Sequence, residues 1–130
     1  MSFSLYLIFS LIGLHFVADF LMQSSWMAIN KSKNNNALIA HVYAYTITLG
    51  VGAILLSLGN FYNFILPWMI INGILHFITD YVTSRITSRL WKSNSFRWFF
   101  VVIGIDQCIH YACLFSTFML IHDHIVIHVI

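Results

Sequence analysis

Three aspartates in this chain of 130 residues each lie four positions from a histidine, inside long apolar stretches. The three pairs are His15 with Asp19, His76 with Asp80, and Asp106 with His110. A spacing of four places both members of a pair on the same face of a helix. Imidazole and carboxylate groups arranged in this way can bind a divalent metal ion, form a proton relay or make structural hydrogen bonds.

The apolar surroundings of these pairs predict that they face the interior of the protein. One Asp at the centre of a lipid-exposed helix costs roughly 2.5 to 3.5 kcal/mol, so three would cost about 8 to 10 kcal/mol. We therefore expect the pairs to face one another, water or an ion. His41, near the start of the second apolar stretch, adds a candidate from another helix.

We interpret the cluster as a metal site in one layer of the cytoplasmic half of the membrane. Its predicted ligands are His15, Asp19, His41, His76, Asp80, Asp106 and His110. This set exceeds the needs of one tetrahedral ion, which predicts either one ion with supporting groups around it or two ions. The absence of thiolate favours zinc, with manganese or iron as alternatives, over copper(I). A proton relay or a structural network stays open, whereas a bis-histidine haem leaves the aspartates unexplained.

Further polar residues extend the cluster along the same helices. The predicted hydrogen-bond partners of the ligands, which can equally serve helix packing, are Gln23, Asn72 and Gln107. Arg85 and Arg89, one turn apart beyond Asp80, are candidates to hold a phosphate at the mouth of the site, or are ordinary basic loop residues. A terminal group that we expect on the opposite side of the membrane consists of His122, Asp123, His124 and His128.

The elements that must position these residues are transmembrane helices. The chain is 60% hydrophobic and 8% charged, against roughly 25% charged in soluble proteins, which predicts an integral membrane protein. One crossing needs roughly 20 apolar helical residues, so the length suits a single domain, 1–130, with four spans. The predicted spans cover about 2–27, 37–58, 65–88 and 96–121. The first is interpreted as a retained helix, because it lacks a basic leader and a small-residue cleavage site.

The positions of the basic residues predict the orientation of these helices. Lys31 and Lys33 follow the first predicted helix, residues 85–97 hold the other four basic side chains, and the loop between helices two and three has none. Short cytoplasmic loops are enriched in Lys and Arg, so we expect both basic loops in the cytoplasm and both termini on the other side of a bacterial inner membrane. The net charge of +2 is too small and too dispersed to favour a nucleic-acid partner.

Two heptapeptides indicate an internal duplication. LHFVADF at 14–20, in the first predicted helix, matches LHFITDY at 75–81, in the third. Two helical hairpins of the same topology would be related by a pseudo-two-fold axis along the membrane normal, as in some transporters. The predicted fold is therefore an all-α, four-helix transmembrane bundle made of two hairpins.

The combined motifs carry a resemblance to a known family. They are His-x-x-x-Asp-Phe-x-x-Gln from His15, the lone His41, His-x-x-x-Asp-Tyr from His76, and Asp-Gln-x-x-His from Asp106. With them the chain resembles small phage and bacterial membrane proteins grouped as a domain of unknown function. It is more distantly similar to inner-membrane metal-dependent hydrolases, and its helical His-x-x-x-Asp pattern is similar to that of zinc-dependent phospholipase C and related nucleases. It lacks the N-terminal metal-binding Trp and the further histidines of those soluble enzymes, which argues against a three-metal site.

The cluster favours a membrane-embedded metal-dependent hydrolase that acts on a phosphorylated lipid or another phosphoester. Its catalytic candidates are Asp19, Asp80 and Asp106, of which any that binds no metal would act as general base. The alternative is a divalent-metal or proton transporter, which is disfavoured because the outer stretches LYLIFSLIG and LLSLG contain no ionisable residue. A structural metal in a protein that binds another membrane protein is a third hypothesis. The expected partners are the lipid bilayer and the substrate. A second copy of the chain is also expected, because four helices alone provide little protein around so large a polar cluster.

Overall fold

Every regular element in the described part of the chain is a helix, which confirms the all-α prediction there. The computed structural model describes residues 5–57 and 62–129, and the side chains at 57, 62 and 122–129 lie outside the description. The helices are α1 (Leu5–Phe16), α2 (Ser25–Asn30), α3 (Asn35–Ser57), α4 (Tyr62–Lys92) and α5 (Phe96–Val129), with a π-helical turn at Val17–Leu21 between α1 and α2.

Three helices are long and apolar enough to cross a membrane. The qualifying segments are Asn35–Leu56 in α3, Asn63–Lys92 in α4 and Phe96–Ile121 in α5. The segment Leu5–Leu21 is also apolar but shorter. The length and composition of these helices agree with a membrane protein, while the four-span bundle and the sides of the termini stay predictions.

The first apolar stretch is interrupted, whereas the sequence predicts one continuous helix over 2–27. The π-helical turn closes with a hydrogen bond from the Met22 amide to the Val17 carbonyl at 3.0 Å. A new helix then begins after Ser24, whose hydroxyl accepts a hydrogen bond from the Met27 amide at 3.3 Å. A serine side chain stabilises a helix start better than a helix interior, which is why the chain breaks here. Asp19 therefore lies in a π-helical turn, a feature often found at functional sites.

The ends of α4 also differ from the predicted third span. The sequence predicts that this helix begins near residue 65. In the structure α4 begins at Tyr62, so Pro67 lies inside its second turn. The C-terminal end continues to Lys92 and reverses through Asn94, which adopts a left-handed φ of 57°. The Ser95 amide donates to the Leu90 carbonyl at 2.9 Å, which completes a Schellman-type cap. This tight reversal places α5 directly against α4.

An apolar core lies one to two helical turns from the predicted cluster. Leu11 precedes His15 by one turn, and Tyr45 and Leu114 follow His41 and His110 by one turn. All these side chains are buried. Further along, the core is completed by the buried residues Leu49, Phe64, Ile65 and Trp68. The cluster therefore lies at one end of a tightly packed apolar region.

Candidate metal centre

Four buried side chains from three helical segments converge on one point. They are Asp19 from the π-helical turn, His41 from α3, and His76 and Asp80 from α4. His41 Nε2 lies 3.2 Å from Asp19 Oδ1 and 3.3 Å from Asp80 Oδ2. His76 Nε2 lies 3.5 and 3.7 Å from the same two oxygens, and 3.0 Å from His41 Nε2. We call these residues the four-ligand group.

The spacing of the four-ligand group fits a tetrahedral ion. Ligand atoms about 2.0 to 2.1 Å from a zinc ion at tetrahedral angles are separated by about 3.3 Å. The five distances above, 3.0 to 3.7 Å, are scattered around that value. A site made of two imidazoles and two carboxylates, all buried, also suits zinc, manganese or iron(II). The described residues could therefore hold a divalent ion.

Ring orientation in the four-ligand group is set by neighbouring aromatic groups more than by hydrogen bonds. The His76 ring stacks on Tyr45 with 3.9 Å between centroids and 10° between planes. Within the described residues, the Nδ1 atoms of His41 and His76 have no hydrogen-bond partner. Metal-binding histidines usually donate their second ring nitrogen to an acceptor. Stacking on Tyr45 therefore takes over part of the orienting role for His76.

Two further groups of predicted ligands lie beside the first. One consists of Asp80, Asp106 and His110, and the other of His15, Asp19 and His110. Asp80 Oδ1 lies 3.7 Å from His110 Nε2, and Asp106 Oδ2 lies 3.4 Å from His110 Nδ1. Because its other oxygen, Oδ2, belongs to the four-ligand group, Asp80 could bridge two ions. All seven ligands predicted from sequence are thus brought together, with Asp106 at the more open edge.

His15 differs from the other histidines because both of its ring nitrogens are engaged. Nε2 donates to Gln107 Oε1 at 3.2 Å, and Nδ1 accepts from the Tyr45 hydroxyl at 3.3 Å. The Gln107 amide nitrogen donates to Asp19 Oδ2 at 3.0 Å and to Asp106 Oδ2 at 3.1 Å. Gln107 thus holds two carboxylates and one imidazole in place.

The other two amides predicted to support the ligands lie elsewhere. Asn72 is one turn from His76 but donates to the Trp68 carbonyl at 2.9 Å and to Thr117 Oγ1 at 2.8 Å. The bond to Thr117 joins α4 to α5 within the apolar core. Gln23 lines the cavity described below.

Lys31 and Thr83 contact the cluster and were not predicted to do so. Lys31 Nζ donates to Asp80 Oδ2 at 2.7 Å, and the Thr83 hydroxyl donates to Asp106 Oδ1. The Lys31 contact has no signal in the sequence, because its polar segment NKSKNNN has the composition of an ordinary cytoplasmic loop. Thr83 could have been found, since it lies one turn after Asp80 on the same face of α4.

An open cavity of about 660 Å³ leads from the surface to the cluster. Its wall includes the carboxylates Asp19, Asp80 and Asp106, the amides Gln23 and Gln107, and the lysines Lys31, Lys33 and Lys92. Water and a small substrate group could reach the carboxylates through this opening.

The two arginines predicted to hold a phosphate do not line this cavity. The Arg85 guanidinium donates to Asn35 Oδ1 and to the Tyr81 carbonyl, both at 2.8 Å, and lies 3.6 Å from the centre of the Tyr81 ring. Arg89 is exposed in the last turns of α4. The side chains of the terminal group predicted at His122, Asp123, His124 and His128 lie outside the description.

The described chain is an all-helical protein with three helices able to cross a membrane and a buried His/Asp cluster that could hold a metal ion. It belongs to the family described as protein of unknown function (DUF3307), whose model matches residues 7–129. Neither a curated protein nor a solved structure matches the chain. The family match assigns no activity to the cluster.

Proposed function

We propose that the protein is a membrane-embedded metal-dependent hydrolase that cleaves a phosphoester bond. The observation that carries this proposal is the four-ligand group, whose spacing suits a tetrahedral ion and which opens onto a cavity. A buried set of two carboxylates and two imidazoles is costly to maintain in an apolar protein unless it is paired or binds a cation. Zinc is the preferred ion, with manganese or iron as alternatives.

The lysines around the cavity support access to the site from the cytoplasmic side. Lys31, Lys33 and Lys92 surround the cavity, and basic residues of this kind favour the cytoplasmic surface of a bacterial inner membrane. With that orientation the cluster lies in the cytoplasmic half of a four-helix bundle. Substrate would arrive from the cytoplasm or from the adjoining leaflet.

Asp106 is the residue that best fits the role of general base. It lies outside the four-ligand group and lines the cavity, and two hydrogen bonds from Thr83 and Gln107 fix its position. A bound divalent ion would polarise the phosphoryl oxygen and lower the pKa of a water molecule.

Hydrolysis requires the water oxygen to bond to phosphorus while the ester P–O bond breaks. Asp106 accepts one proton of the water and returns it to the departing alcohol oxygen, so the products are the alcohol and a phosphate with one new hydroxyl. Gln107 holds Asp19 and Asp106 at a constant separation during this transfer.

The apolar core argues against transport through the cluster. One to two turns beyond the ligands, the described helices contribute Leu11, Leu49, Trp68 and Leu114, all less than 4% exposed, and the polar Asn72 and Thr117 there are bonded to each other and to backbone carbonyls. A conducting path needs polar groups or water on both sides of the site. Transport is therefore the less favoured hypothesis. Uptake of radioactive zinc into proteoliposomes would test it.

The proposal is tested by metal content and turnover of the purified full chain. We expect at least one zinc, manganese or iron per chain by elemental analysis, and release of alcohol from a set of soluble and lipid phosphoesters. His76→Ala should lose both. Asn72→Ala is the matched control, since Asn72 is buried on the same helix one turn away but contacts no ligand. Wild-type protein that binds no stoichiometric metal, or binds metal without turnover, would overturn the proposal.

A further inference from the structure

One buried hydroxyl at the cavity lacks the hydrogen bond that its neighbours make. The hydroxyls of Thr79 and Thr87 each donate to the carbonyl four residues earlier in α4, at 2.9 Å. This is the usual arrangement for hydroxyls in a helix. Ser84 is only 9% exposed, lines the cavity, and its Oγ has no partner among the described residues. Its proton is therefore available to an occupant of the cavity.

A second unsatisfied polar group faces the same space. Gln23, from the segment between the π-helical turn and α2, lines the cavity, and its Oε1 is buried without a partner in the described chain. Buried polar atoms in native proteins nearly always have a partner, so two orphans in one cavity indicate that a polar ligand belongs there. Rotation of the Gln23 amide presents either an acceptor or a donor to that ligand.

The charges around the cavity indicate an anion. Lys31, Lys33 and Lys92 balance the three aspartates of the wall. Among the described residues, Lys33 and Lys92 make no ion pair with a carboxylate, so with or without a bound ion they can meet the charge of about −2 on a phosphate monoester near neutral pH. Lysines bind phosphate as point charges, and serine hydroxyls donate to its oxygens.

The cavity wall also includes apolar side chains, which indicate that the anion carries a hydrocarbon part. They are Phe20, Ile29, Trp91, Phe99 and Ile103. These side chains belong to the π-helical turn, α2, α4 and α5. A soluble sugar phosphate or nucleotide would leave this surface in contact with polar groups, which is unfavourable. An acyl or prenyl chain would cover it.

We infer that this cavity binds the phosphate monoester headgroup of a membrane lipid, with the phosphate on Ser84, Lys33 and Lys92 and the hydrocarbon chain against the apolar lining residues. The inference rests on the proposed function, because it names the substrate class of that site. Lys31 lines the same cavity and donates to Asp80 Oδ2, so the cavity is continuous with the four-ligand group. The phosphorus would then face the metal ligands.

The test measures binding to metal-free protein, so that it does not depend on the ion or on turnover. Full-length protein is stripped with EDTA in detergent, and lipid adducts are counted by native mass spectrometry during titration with phosphatidic acid or phosphatidylcholine. We expect phosphatidic acid to bind at least about tenfold more tightly. Glycerol 3-phosphate and inorganic phosphate are added as competitors to separate a lipid source from a soluble one.

Two pairs of variants locate the headgroup. The double change Lys33→Gln and Lys92→Gln should weaken phosphatidic acid binding about tenfold, whereas Arg85→Gln with Arg89→Gln, which removes the same charge outside the cavity, should leave it within twofold. Ser84→Ala should weaken binding several-fold, and Thr79→Val, which removes a hydroxyl outside the cavity, should not.

The outcomes separate this inference from the hydrolase proposal. Equal loss in the Lys and Arg pairs would overturn it, because binding would then be a general surface effect. Equal binding of phosphatidic acid and glycerol 3-phosphate would overturn the lipid assignment. The purified protein could prove to contain no metal and yet bind phosphatidic acid tightly, with weaker binding in the Lys33/Lys92 and Ser84 variants. That result would support this inference and contradict the hydrolase proposal.

Discussion

The two heptapeptides 14–20 and 75–81 have nearly the same sequence but different roles in the cluster. His76 belongs to the four-ligand group, with Nε2 3.0 Å from His41 Nε2. His15, at the same position in the other heptapeptide, is held at both nitrogens by Gln107 and Tyr45 and stays outside that group. One histidine is thus free to bind an ion, and its counterpart supports the site.

The aspartates of the two heptapeptides also differ in their surroundings. Asp19 lies in a π-helical turn and accepts a hydrogen bond from Gln107, an uncharged donor. Asp80 lies in a regular α-helix and accepts from Lys31, a cation. At the same four-residue spacing, Asp19 therefore has an amide donor and Asp80 a cationic one. Partners from distant segments, and not the local motif, determine what each pair does.

The largest expected effect separates the two histidines. His76→Ala removes a ligand atom, so we expect the zinc dissociation constant to rise by more than about 100-fold. His15→Ala removes only a supporting group, for which losses of about 10- to 100-fold are typical. Competition with a chelating dye in detergent would measure both constants. Equal losses would mean that the two heptapeptides have equivalent roles.

Gln107→Leu should have the next largest effect. It removes the donor to Asp19 and the acceptor of His15, so zinc affinity should fall about tenfold, near the lower limit for such supporting groups. Asn72→Leu is the matched control, because it also removes a buried amide but one that contacts only Trp68 and Thr117. A loss of zinc affinity in the control as large as in Gln107→Leu would show that packing, and not ligand support, is responsible.

Lys31→Met should strengthen zinc binding. The ammonium competes with the ion for Asp80 Oδ2, and removing it should gain about 1 kcal/mol, or several-fold in affinity. The metal-free protein should unfold at a lower temperature, because Asp80 loses its partner. Lys33→Met provides the control. The gain should disappear in an Asp80→Asn background and persist in Asp19→Asn, and the reverse pattern would contradict the assigned contact.

Tyr45→Phe should have the smallest effect. It deletes the hydroxyl that donates to His15 but keeps the ring that stacks on His76. We expect the free energy of unfolding to fall by about 0.5 to 1.5 kcal/mol, the usual value for one hydrogen bond, with little change in zinc affinity. Chemical unfolding in detergent, followed by circular dichroism, would measure it. A large loss of affinity would show that His15 contributes directly to the ion.

Much of the fold could be predicted from composition and apolar periodicity. The helical class follows from these features, because apolar stretches of this length satisfy their backbone only as helices in a membrane. The break after Leu21 was harder to predict, since Gln23, Ser24 and Ser25 form only a short polar interruption between apolar residues. Whether Ser24 caps a new helix or faces a neighbour depends on tertiary packing.

The contacts of the basic residues also could not be predicted from the sequence. Positive charge near the ends of predicted helices indicates a membrane surface but not a contact. Lys31 reaches Asp80 across 49 positions of sequence, whereas Arg85, only five residues from Asp80, turns to Asn35 and Tyr81. A long flexible side chain can lie on either side of its helix, so sequence distance does not decide its partner.

The sequence by itself determined that His15, Asp19, His76 and Asp80 would face inward in pairs, because an aspartate exposed to lipid is too costly and a spacing of four lies on one helix face. Only the tertiary structure decided which ligand atoms lie 3.0 to 3.7 Å apart, close to the spacing that a tetrahedral ion requires. That arrangement depends on the rotation of each helix, on the π-helical turn at Asp19 and on the distance between neighbouring helices, and none of these is encoded in the spacing of one pair.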